Sequence, residues 1–401
     1  MARGTVDPPT TRVTIAVIPD SAAAVAEAVR DARSTRTSLR ITGARQWLDA
    51  GRPCTATSEL SLAALRGVIE YERGDFTITV GAATPLAEID AVTAREGQWL
   101  ALQPFGSADG TIGATIATAS WGPLASAYGT PRDQLLGCEV ATGVGEVVRA
   151  GGRVVKNVAG FDLSRLMTGA WGTLGAITEV TVRLRARPEI DRTLAIAAEG
   201  KGDAFCSAAW QWLRGSPCAP LAAELCSATL ASRLGLEGRA VLLVRLGGNE
   251  PFVRAAEQSV AALGTTVEVD ADVWARIRTL EPSGSTVVRL GTLPSELGAV
   301  WSAASSVVEG GGGWAHATLE RGVVRCVVPV SDSDEEPERI RGIITQLHAP
   351  GRGSRVVERL PAPLWDSIPA PAGDRLSSAV RRTFDPDGVL NPGILAPLPL
   401  S

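Results

Sequence analysis

Residues 151–188 constrain the fold more than any other segment, because a glycine-rich run leads directly into a strand pattern. The glycines of this run are Gly160, Gly169, Gly172 and Gly175. Glycine adopts left-handed backbone conformations and lets a ligand approach the main chain closely. Residues 177–184 then alternate apolar with polar or charged side chains, as a half-buried strand does, and Pro188 ends the pattern. The segment therefore predicts a sharply turned loop before a strand, with main-chain atoms open to a ligand.

The length and composition are those of a two-domain globular protein. A chain of 401 residues exceeds one ordinary core, and 45% hydrophobic with 20% charged residues is typical of folded domains. The formal net charge of -4 argues against a nucleic-acid partner. The amino terminus shows no apolar signal segment, and no apolar run approaches the roughly 18 residues of a spanning helix. We therefore expect a cytoplasmic protein with no transmembrane segment, whose membrane association, if any, is made through partners.

Cysteine and histidine are too sparse to predict a metal site. The six cysteines are scattered and form no C-x-x-C pair, so neither zinc nor an iron–sulfur cluster is expected. Small buried thiols are the default interpretation of these cysteines. The two histidines, His316 and His348, both lie in the second half of the chain.

The first elements predict a β-α-β unit. Residues 13–17 and 38–41 have strand character. Asp20 or Ser21 can cap a helix that runs between them to Arg33. This unit delivers the chain to a loop after the second strand.

Turn and capping residues predict the next elements. Residues 65–80 indicate two strands joined by an Arg-Gly-Asp turn. Thr84 as N-cap and Pro85 as first helical residue predict a helix that runs to about Glu96. Residues 135–148 indicate a hairpin.

The pattern changes at Ile190 to alternating strands and helices, which indicates an α+β domain with an antiparallel sheet. The segments that carry this pattern are residues 203–214, 241–246, 250–263, 295–308 and 335–347. No internal repeat is expected in this half.

Four motifs together carry a family resemblance. They are TIGATIATASWGPLASAYGTPRD at residues 111–133, KNVAGFDL at 156–163, GTLGAITE at 172–179 and FDPDGVLNPG at 384–393. In this order they resemble the vanillyl-alcohol oxidase / p-cresol methylhydroxylase (PCMH-type) flavoprotein family. IEYERGDFT at 69–77 and GWAHATL at 313–319 are similar to the E-type, FAD-binding subunits of bacterial glycolate oxidase. The H-x-G-D-G-N run of the catalytic D-type subunits does not occur in the sequence.

The resemblance implies the fold. It implies an α+β protein in which a PCMH-type two-subdomain FAD-binding fold is followed by an α+β cap or substrate domain. The FAD-binding domain would span residues 1–188 and the cap domain residues 189–383. Residues 384–401 would form a tail that returns to the FAD domain.

The same resemblance implies FAD as the cofactor, bound largely by main-chain atoms of the first domain. Because neither histidine lies in that domain, FAD is expected to be held non-covalently, or through a residue other than histidine. The residues that the resemblance assigns to FAD are Gly43, Ala44, Arg45, Gln46, Trp47, Gly106, Thr111, Gly113, Ala114, Ala117, Trp121, Gly122, Gly129, Asp133, Asn157, Gly160, Asp162, Gly175, Ile177 and Asn391.

Departures from the family pattern leave two alternatives at the FAD site. The pyrophosphate loop usually has three glycines, but only Gly43 remains, and Ala44 and Arg45 could become left-handed only at ~1 kcal/mol or more each. The loop is therefore either reshaped or no longer holds the pyrophosphate, and Arg45 could compensate by donating to phosphate. Ala114 replaces a second glycine. Trp121 replaces a small serine, and would either stack on the flavin ring or fill its place.

By resemblance, the chain is the FAD-binding subunit of a glycolate oxidase or a similar 2-hydroxy-acid dehydrogenase. Such a subunit works beside a D-type flavoprotein subunit and an iron–sulfur subunit. His316 is the candidate for a catalytic base, although an isolated strand histidine is more often a packed residue. Two alternatives stay open: a structural subunit that has lost FAD, and a self-sufficient FAD-dependent oxidoreductase.

Overall fold

A computed structural model of the chain describes residues 16–152, 162–198, 202–349, 351, 353–369 and 375–396. Two of the predicted FAD contacts, Asn157 and Gly160, lie outside the described residues. Most of the KNVAGFDL motif also lies outside them.

The elements follow one another in this order. The strands are β1 Ala16–Val17, β2 Leu39–Thr42, β3 Ser58–Ser61, β4 Val68–Glu72, β5 Thr77–Gly81, β6 Gln98–Trp99, β7 Leu135–Thr142, β8 Val147–Gly151, β9 Gly175–Arg183, β10 Arg185–Ala186, β11 Ile190–Ala197, β12 Ala222–Cys226, β13 Val241–Gly248, β14 Thr266–Val269, β15 Thr286–Gly291, β16 Trp314–Thr318, β17 Val323–Val328 and β18 Ser354–Arg359. The α-helices are α1 Ala22–Ser34, α2 Leu86–Thr93, α3 Ile112–Thr118, α4 Ala125–Tyr128, α5 Pro131–Gln134, α6 Leu163–Met167, α7 Gly202–Gly215, α8 Ala228–Arg233, α9 Glu250–Val260, α10 Val273–Thr279, α11 Leu297–Gly310, α12 Glu336–Gln346 and α13 Arg375–Phe384. Within these described ranges, no helix is both long enough and apolar enough to cross a membrane.

The first half opens with a parallel sheet in the order β1-β3-β2. Helix α1 connects β1 with β2, and the Ser21 hydroxyl caps it by accepting a hydrogen bond from the Ala24 amide at 3.3 Å. The predicted β-α-β unit is confirmed over its described residues. Val25 and Val29 of α1 belong to one apolar cluster with Ala141 of β7. The helix therefore joins the parallel sheet to the sheet that follows it.

A five-stranded antiparallel sheet forms the rest of the first half, in the order β4-β5-β9-β7-β8. The predicted hairpin of residues 135–148 is confirmed as β7 and β8. The strand predicted after the glycine-rich loop is confirmed as β9, which lies at the centre of the sheet. The strand that follows this loop is therefore hydrogen-bonded to a neighbouring strand on each side, β5 and β7.

The predicted cap of α2 is wrong. The helix begins at Leu86, Pro85 occupies the N-cap position, and no side chain caps it. The Thr84 hydroxyl instead donates to the Gly81 carbonyl at 2.7 Å and accepts from the Gly67 amide at 2.9 Å. Thr84 thus joins the start of β4 to the end of β5, which leaves its oxygen unable to cap the helix. The extent of the helix is as predicted, because a 3-10 turn continues it through Ala94–Glu96.

The second half is built on an eight-stranded antiparallel sheet, in the order β14-β11-β13-β12-β16-β17-β15-β18. Helices α7, α9, α11 and α12 contribute to the core on one face, and α8 and α10 contribute to the core on the other. Along β13, Leu242 and Val244 face the first core, whereas Val241 and Leu243 face the second. The predicted α+β domain with an antiparallel sheet is confirmed.

The change from one sheet system to the other falls close to residue 188. The five-stranded sheet ends with Arg183 of β9, and the eight-stranded sheet begins with Ile190 of β11. Between them, β10 pairs with β6 of the first half. We propose that the domain boundary lies in this connection.

The C-terminal segment lies against the first half and is held there by Asn391. The Asn391 amide donates to the Leu39 carbonyl at 2.8 Å. Its side chain accepts from the Ile41 amide at 2.8 Å and donates to the Trp171 carbonyl at 2.7 Å. Its backbone is left-handed, with φ 44°, a conformation that asparagine tolerates better than most residues. One buried amide side chain therefore joins the tail, β2 and the turn before β9.

Replacing Asn391 with alanine should lower the free energy of unfolding of the apoprotein by about 1–3 kcal/mol, because two main-chain groups lose their buried partner. Urea unfolding followed by tryptophan fluorescence measures this change. Gln346→Ala is the control, since Gln346 is exposed and bonds the Gly342 carbonyl of its own helix. The control should change stability by no more than about 0.5 kcal/mol. Equal effects of the two variants would contradict the role of Asn391.

Candidate functional site

A cleft in the first half gathers most of the predicted FAD contacts. We call it the first cleft, and it encloses about 1120 Å³ out to its open mouth. Its walls come from the loop after β2, from α3 and the segment before it, and from the turn before β9. The predicted residues that line it are Gly43, Ala44, Arg45, Gln46, Trp47, Thr111, Gly113, Ala114, Ala117, Gly175, Ile177 and Asn391. The fold therefore brings together residues from four separate parts of the chain.

Two glycines let the walls of the first cleft pack closely. A Cβ atom on Gly43 would lie 2.6 Å from Oγ1 of Thr111. A Cβ atom on Gly113 would lie 2.8 Å from the carbonyl oxygen of Ala82. Any side chain at either position would force the walls apart. Glycine at these two positions therefore lets the walls approach each other closely, and the Gly113 amide donates to the Ala82 carbonyl at 2.8 Å.

The loop after β2 contains one left-handed residue that is not glycine. Arg45 adopts a left-handed backbone with φ 57°, whereas Ala44 does not. The Arg45 guanidinium donates to both carboxylate oxygens of Glu59 at 2.7 and 2.6 Å, and the Thr42 hydroxyl donates to the same carboxylate at 2.7 Å. Glu59 is buried on β3. The loop is therefore pinned to the parallel sheet by an ion pair, and a phosphate contact from Arg45 would have to compete with Glu59.

A second, smaller cleft adjoins the first. Phe105 and Ser120 line both clefts. The second cleft measures about 290 Å³ with the solvent at its mouth included, and it reaches β15, β16, β17 and β18 of the eight-stranded sheet. Trp121 lines this cleft, with its ring centroid 5.7 Å from Cζ of Arg289. The Trp121 side chain therefore borders the second cleft and is not part of the wall of the first.

His316, the predicted candidate base, lies on β16 and lines the second cleft. Its Nδ1 is 2.7 Å from Oε2 of Glu224, and the Thr318 hydroxyl donates to Oε1 of that carboxylate at 2.6 Å. Both residues of the pair are buried, and the Phe105 ring packs 5.2 Å from the imidazole. The carboxylate favours the tautomer with a proton on Nδ1, which leaves Nε2 as the basic nitrogen. The arrangement can orient an imidazole that accepts a proton.

Buried ion pairs form another wall of the second cleft. Nε of Arg325 lies 2.5 Å from Oε1 of Glu281, and its Nη1 lies 2.5 Å from Oε2 of Glu358. Arg289 lies 3.2 Å from the other oxygen of Glu358. Burial would lower the pKa of Arg325, but the two carboxylates outweigh it and raise the pKa. Burial would likewise raise the pKa of Glu358, but Arg325 and Arg289 outweigh it and lower the pKa. Both arginines that line the cleft are therefore already paired.

Sequence reasoning missed the three carboxylates that define this region: Glu224, Glu281 and Glu358. Glu224 is the charged residue of the apolar strand β12, and a glutamate is fully buried almost only when it is paired. That isolated charge was the available signal. Its partner could not be read from it, because β12 and β16 are distant in sequence.

Six predicted FAD contacts do not line the first cleft: Gly106, Trp121, Gly122, Gly129, Asp133 and Asp162. Gly106 lies beside it, since a Cβ atom there would be 2.7 Å from Nε1 of Trp47. Gly122 packs against the main chain, since its Cβ atom would be 1.9 Å from the Gln103 carbonyl oxygen. These two glycines allow close packing next to the clefts.

The remaining predicted contacts cap short helices. The Asp133 carboxylate accepts hydrogen bonds from the amide and the hydroxyl of Thr130 at 2.8 Å each. The hydrogen bond from the amide is the main reason why the pKa of this carboxyl is lowered. Gly129 has a left-handed φ of 87° and packs on Asp133. Asp162 caps α6 by accepting from the Arg165 amide at 3.0 Å. These contacts shape the segments that lead to and from the clefts.

Glu320 is a further buried acid, in the 3-10 turn Leu319–Arg321 after β16. Burial, and to a smaller extent the charge of Glu224, raises the pKa of Glu320 to about 7. Its Oε2 is buried and has no hydrogen-bond partner among the described residues. An unfolded chain ionises glutamate near pH ~4.3, so the folded state holds an extra proton between that pH and 7. The stability that neutral Glu320 contributes to the fold is fully present below pH ~4.3, and it is lost as the pH rises through 7.

Glu320→Gln should stabilise the protein above pH 7, by about 1–3 kcal/mol, because glutamine carries no buried charge. At pH 5 the variant and the natural chain should differ little, because Glu320 is protonated there. Urea unfolding at pH 5 and pH 8 measures the difference. Glu338→Gln, on an exposed helix face, is the control and should be neutral at both values. A gain that does not depend on pH would contradict this prediction.

Comparison with known proteins identifies the family. A family model for an FAD binding domain matches residues 13–151. Glycolate oxidase subunit GlcE of Escherichia coli strain K12 is 30% identical over 382 residues, which cover 93% of this chain and 97% of that protein. Glycolate oxidase subunit GlcD of Bacillus subtilis strain 168 is 25% identical over 376 residues, with 81% and 76% covered.

Solved structures share the fold. p-Cresol methylhydroxylase with substrate bound aligns with a TM-score of 0.76 at 16% identity, over 96% of this chain and 89% of that one. Alkyldihydroxyacetonephosphate synthase aligns with a TM-score of 0.68 at 16% identity, over 94% and 75%. At these identities the likeness concerns the fold alone, and it confirms the predicted PCMH-type architecture.

The first cleft and the comparisons agree on the cofactor. The region matched as an FAD binding domain contains the loop after β2 and helix α3, which line this cleft. Gly43 and Gly113 line it at positions where a Cβ atom would clash with the opposite wall, and Trp121 lines the second cleft and not the first. The residues present therefore fit FAD, which is the cofactor of the chain. The protein belongs to the FAD-binding oxidoreductase family that includes glycolate oxidase subunit GlcE.

Proposed function

We propose that this chain is the FAD-binding subunit of a glycolate-oxidase-type complex that oxidises a 2-hydroxy acid. Its similarity to GlcE, which extends over 93% of the chain, supports this assignment. In the complex it would work beside a D-type flavoprotein subunit and an iron–sulfur subunit. The chain would be cytoplasmic, and any membrane contact would be made by those partners.

The first cleft would hold FAD. The loop from Gly43 to Trp47, the start of helix α3 and the turn at Gly175 line the cleft and would bind it. When bound, FAD supplies the two-electron acceptor for oxidation of the substrate carbon. The residues of this chain would orient FAD and shield it from water.

The observation that carries the proposal is the state of the arginines in the second cleft. A 2-hydroxy acid carries a carboxylate, and an arginine that is free to form paired hydrogen bonds is the usual partner of such a group. Arg325 and Arg289 are instead paired with Glu281 and Glu358. Trp121 reduces the space further. We infer that this chain supports the oxidation, and that the acid is bound chiefly by a partner.

A self-sufficient oxidoreductase is the second candidate, and the His316–Glu224 pair favours it. Oxidation of a 2-hydroxy acid requires a base for the hydroxyl proton. Nε2 of an imidazole whose Nδ1 lies 2.7 Å from a carboxylate is suited to that task. In this alternative, glycolate would be oxidised in the second cleft of the isolated chain.

The isolated chain should purify with close to one FAD per molecule, and glycolate should not bleach that flavin under anaerobic conditions within minutes. The reason is the absence of a free cation for the carboxylate among the described residues of the second cleft. The visible spectrum and the flavin released on denaturation measure both quantities. Rapid bleaching would favour the self-sufficient enzyme, whereas a colourless protein would favour a structural subunit without FAD.

Substitutions at the two histidines, made separately, distinguish a supporting role from a catalytic one in the assembled complex. His316→Gln should change the rate of glycolate oxidation by less than about threefold, whereas loss of a general base would reduce it by about 10²–10⁴-fold. His348→Gln is the matched control, because His348 is exposed and lines neither cleft, with Nδ1 2.8 Å from the Gln346 carbonyl. A large loss confined to His316→Gln would overturn the supporting role.

A further inference from the structure

Two buried arginines of the second half each stack on an aromatic residue that lines the first cleft. Cζ of Arg325 lies 4.2 Å from the ring centroid of Phe105, and Cζ of Arg359 lies 4.8 Å from that of Trp47. We infer that Arg325 and Arg359 are positioning residues, through which the second half of the chain sets the affinity of the first cleft for FAD. This inference rests on the cofactor alone, and it holds whether or not the chain oxidises an acid by itself.

Phe105 and Trp47 belong to two loops that meet at the first cleft. Both side chains line the cleft. The loops touch where Gly106, with φ 101°, packs on the indole, since a Cβ atom there would be 2.7 Å from Nε1 of Trp47. The Gly106 amide donates to the Arg278 carbonyl of the second half at 2.8 Å. A shift of either aromatic ring would therefore change the wall of the cleft.

Arg359 is an unusual buried cation. Its side chain is only 7% exposed, and its Nε has no hydrogen-bond partner among the described residues. Its nearest carboxylate contacts, with Asp49 and Glu281, are both 3.8 Å long. Such weak pairing does not compensate a buried charge. The face of the Trp47 ring therefore accounts for a substantial part of what holds the guanidinium in place.

Glu281 links the two arginine–aromatic contacts. One of its oxygens lies 2.5 Å from Nε of Arg325, and the other lies 3.0 Å from Nη2 of the same residue. The second oxygen is also 3.8 Å from Nη1 of Arg359. One carboxylate therefore binds the Arg325 guanidinium directly and lies close to that of Arg359, so the two arginine–aromatic contacts are neighbours.

The main chain after Trp47 is also held by the second half. Ala50 forms a β-bridge with Arg359, and the Gly51 amide donates to the Glu358 carbonyl at 2.8 Å. Asp49 accepts from the Gly284 amide at 3.0 Å. The loop after β2, in which Gly43 is the only one of the family's three glycines that remains, is thus fixed by contacts with β18. These contacts replace a glycine-rich sequence as the source of its shape.

Replacing Arg359 with methionine should raise the Kd for FAD about tenfold, because the methionine removes the cation that holds Trp47. The full chain, freed of flavin, is titrated with FAD, and the quenching of flavin fluorescence gives the Kd. Arg355→Met is the matched control, since Arg355 is an exposed residue of the same strand β18. The control should leave the Kd unchanged within twofold.

A double-mutant cycle with Trp47→Leu shows whether Arg359 acts through the indole. If it does, the double variant should bind FAD no more weakly than the worse single variant. Additive losses, or an unchanged Kd in Arg359→Met, would overturn the inference. A lower melting temperature of the apoprotein with an unchanged Kd would also overturn it, because that result describes a merely stabilising residue.

Arg359→Lys tests the same role if the methionine variant does not fold. Lysine keeps the charge but lacks the planar guanidinium that stacks on the ring. It should fold and raise the Kd by about three- to tenfold. An unchanged Kd in this variant would contradict the inference. Because the titration contains neither acid nor partner, its result is independent of the proposed role in a complex.

Discussion

The arrangement of the two clefts depends on the buried charge of Arg325. A guanidinium taken out of water is stabilised only by close carboxylates, and here Glu281 and Glu358 supply them at 2.5 Å each. These residues come from β17, from the segment after α10 and from β18. Loss of one partner would leave an uncompensated charge, which costs about 3–5 kcal/mol. The ion pairs therefore specify how these segments meet, and with them the walls against which Phe105 and Trp47 pack.

Local sequence patterns predicted much of the fold, because its hairpins and helices are specified by neighbouring residues. The turn between β7 and β8 and the Ser21 cap of α1 are of this kind. The order of the eight-stranded sheet is not, since β12 lies between β13 and β16 through contacts far apart in sequence. Thr84 shows a smaller limit: its hydroxyl could have capped the helix, but it bonds Gly67 before β4 and Gly81 at the end of β5 instead.

The site was predictable only in part, for a related reason. Main-chain contacts follow from motifs, so Gly43, Gly113 and Asn391 were assigned to one site, and all three line the first cleft. The size of Trp121 was also evident, but the cleft that it occupies depends on the packing of the second half. The partner of a charged side chain depends on strand order, and this is why the bonds of Arg325 to Glu281 and Glu358 were not foreseen.

The contacts between the two halves imply reciprocal coupling. Binding free energies are linked: if the contact between Trp47 and β18 strengthens FAD binding, bound FAD stabilises that contact by the same free energy. FAD in the first cleft should therefore stabilise β18 and the Glu281 segment of the second half, neither of which lines that cleft. The same coupling offers a physical reason why the loop tolerates Ala44 and Arg45. Its shape is imposed by Glu59 on one side and by β18 on the other, so the left-handed backbone of Arg45 is held by contacts and not by glycine.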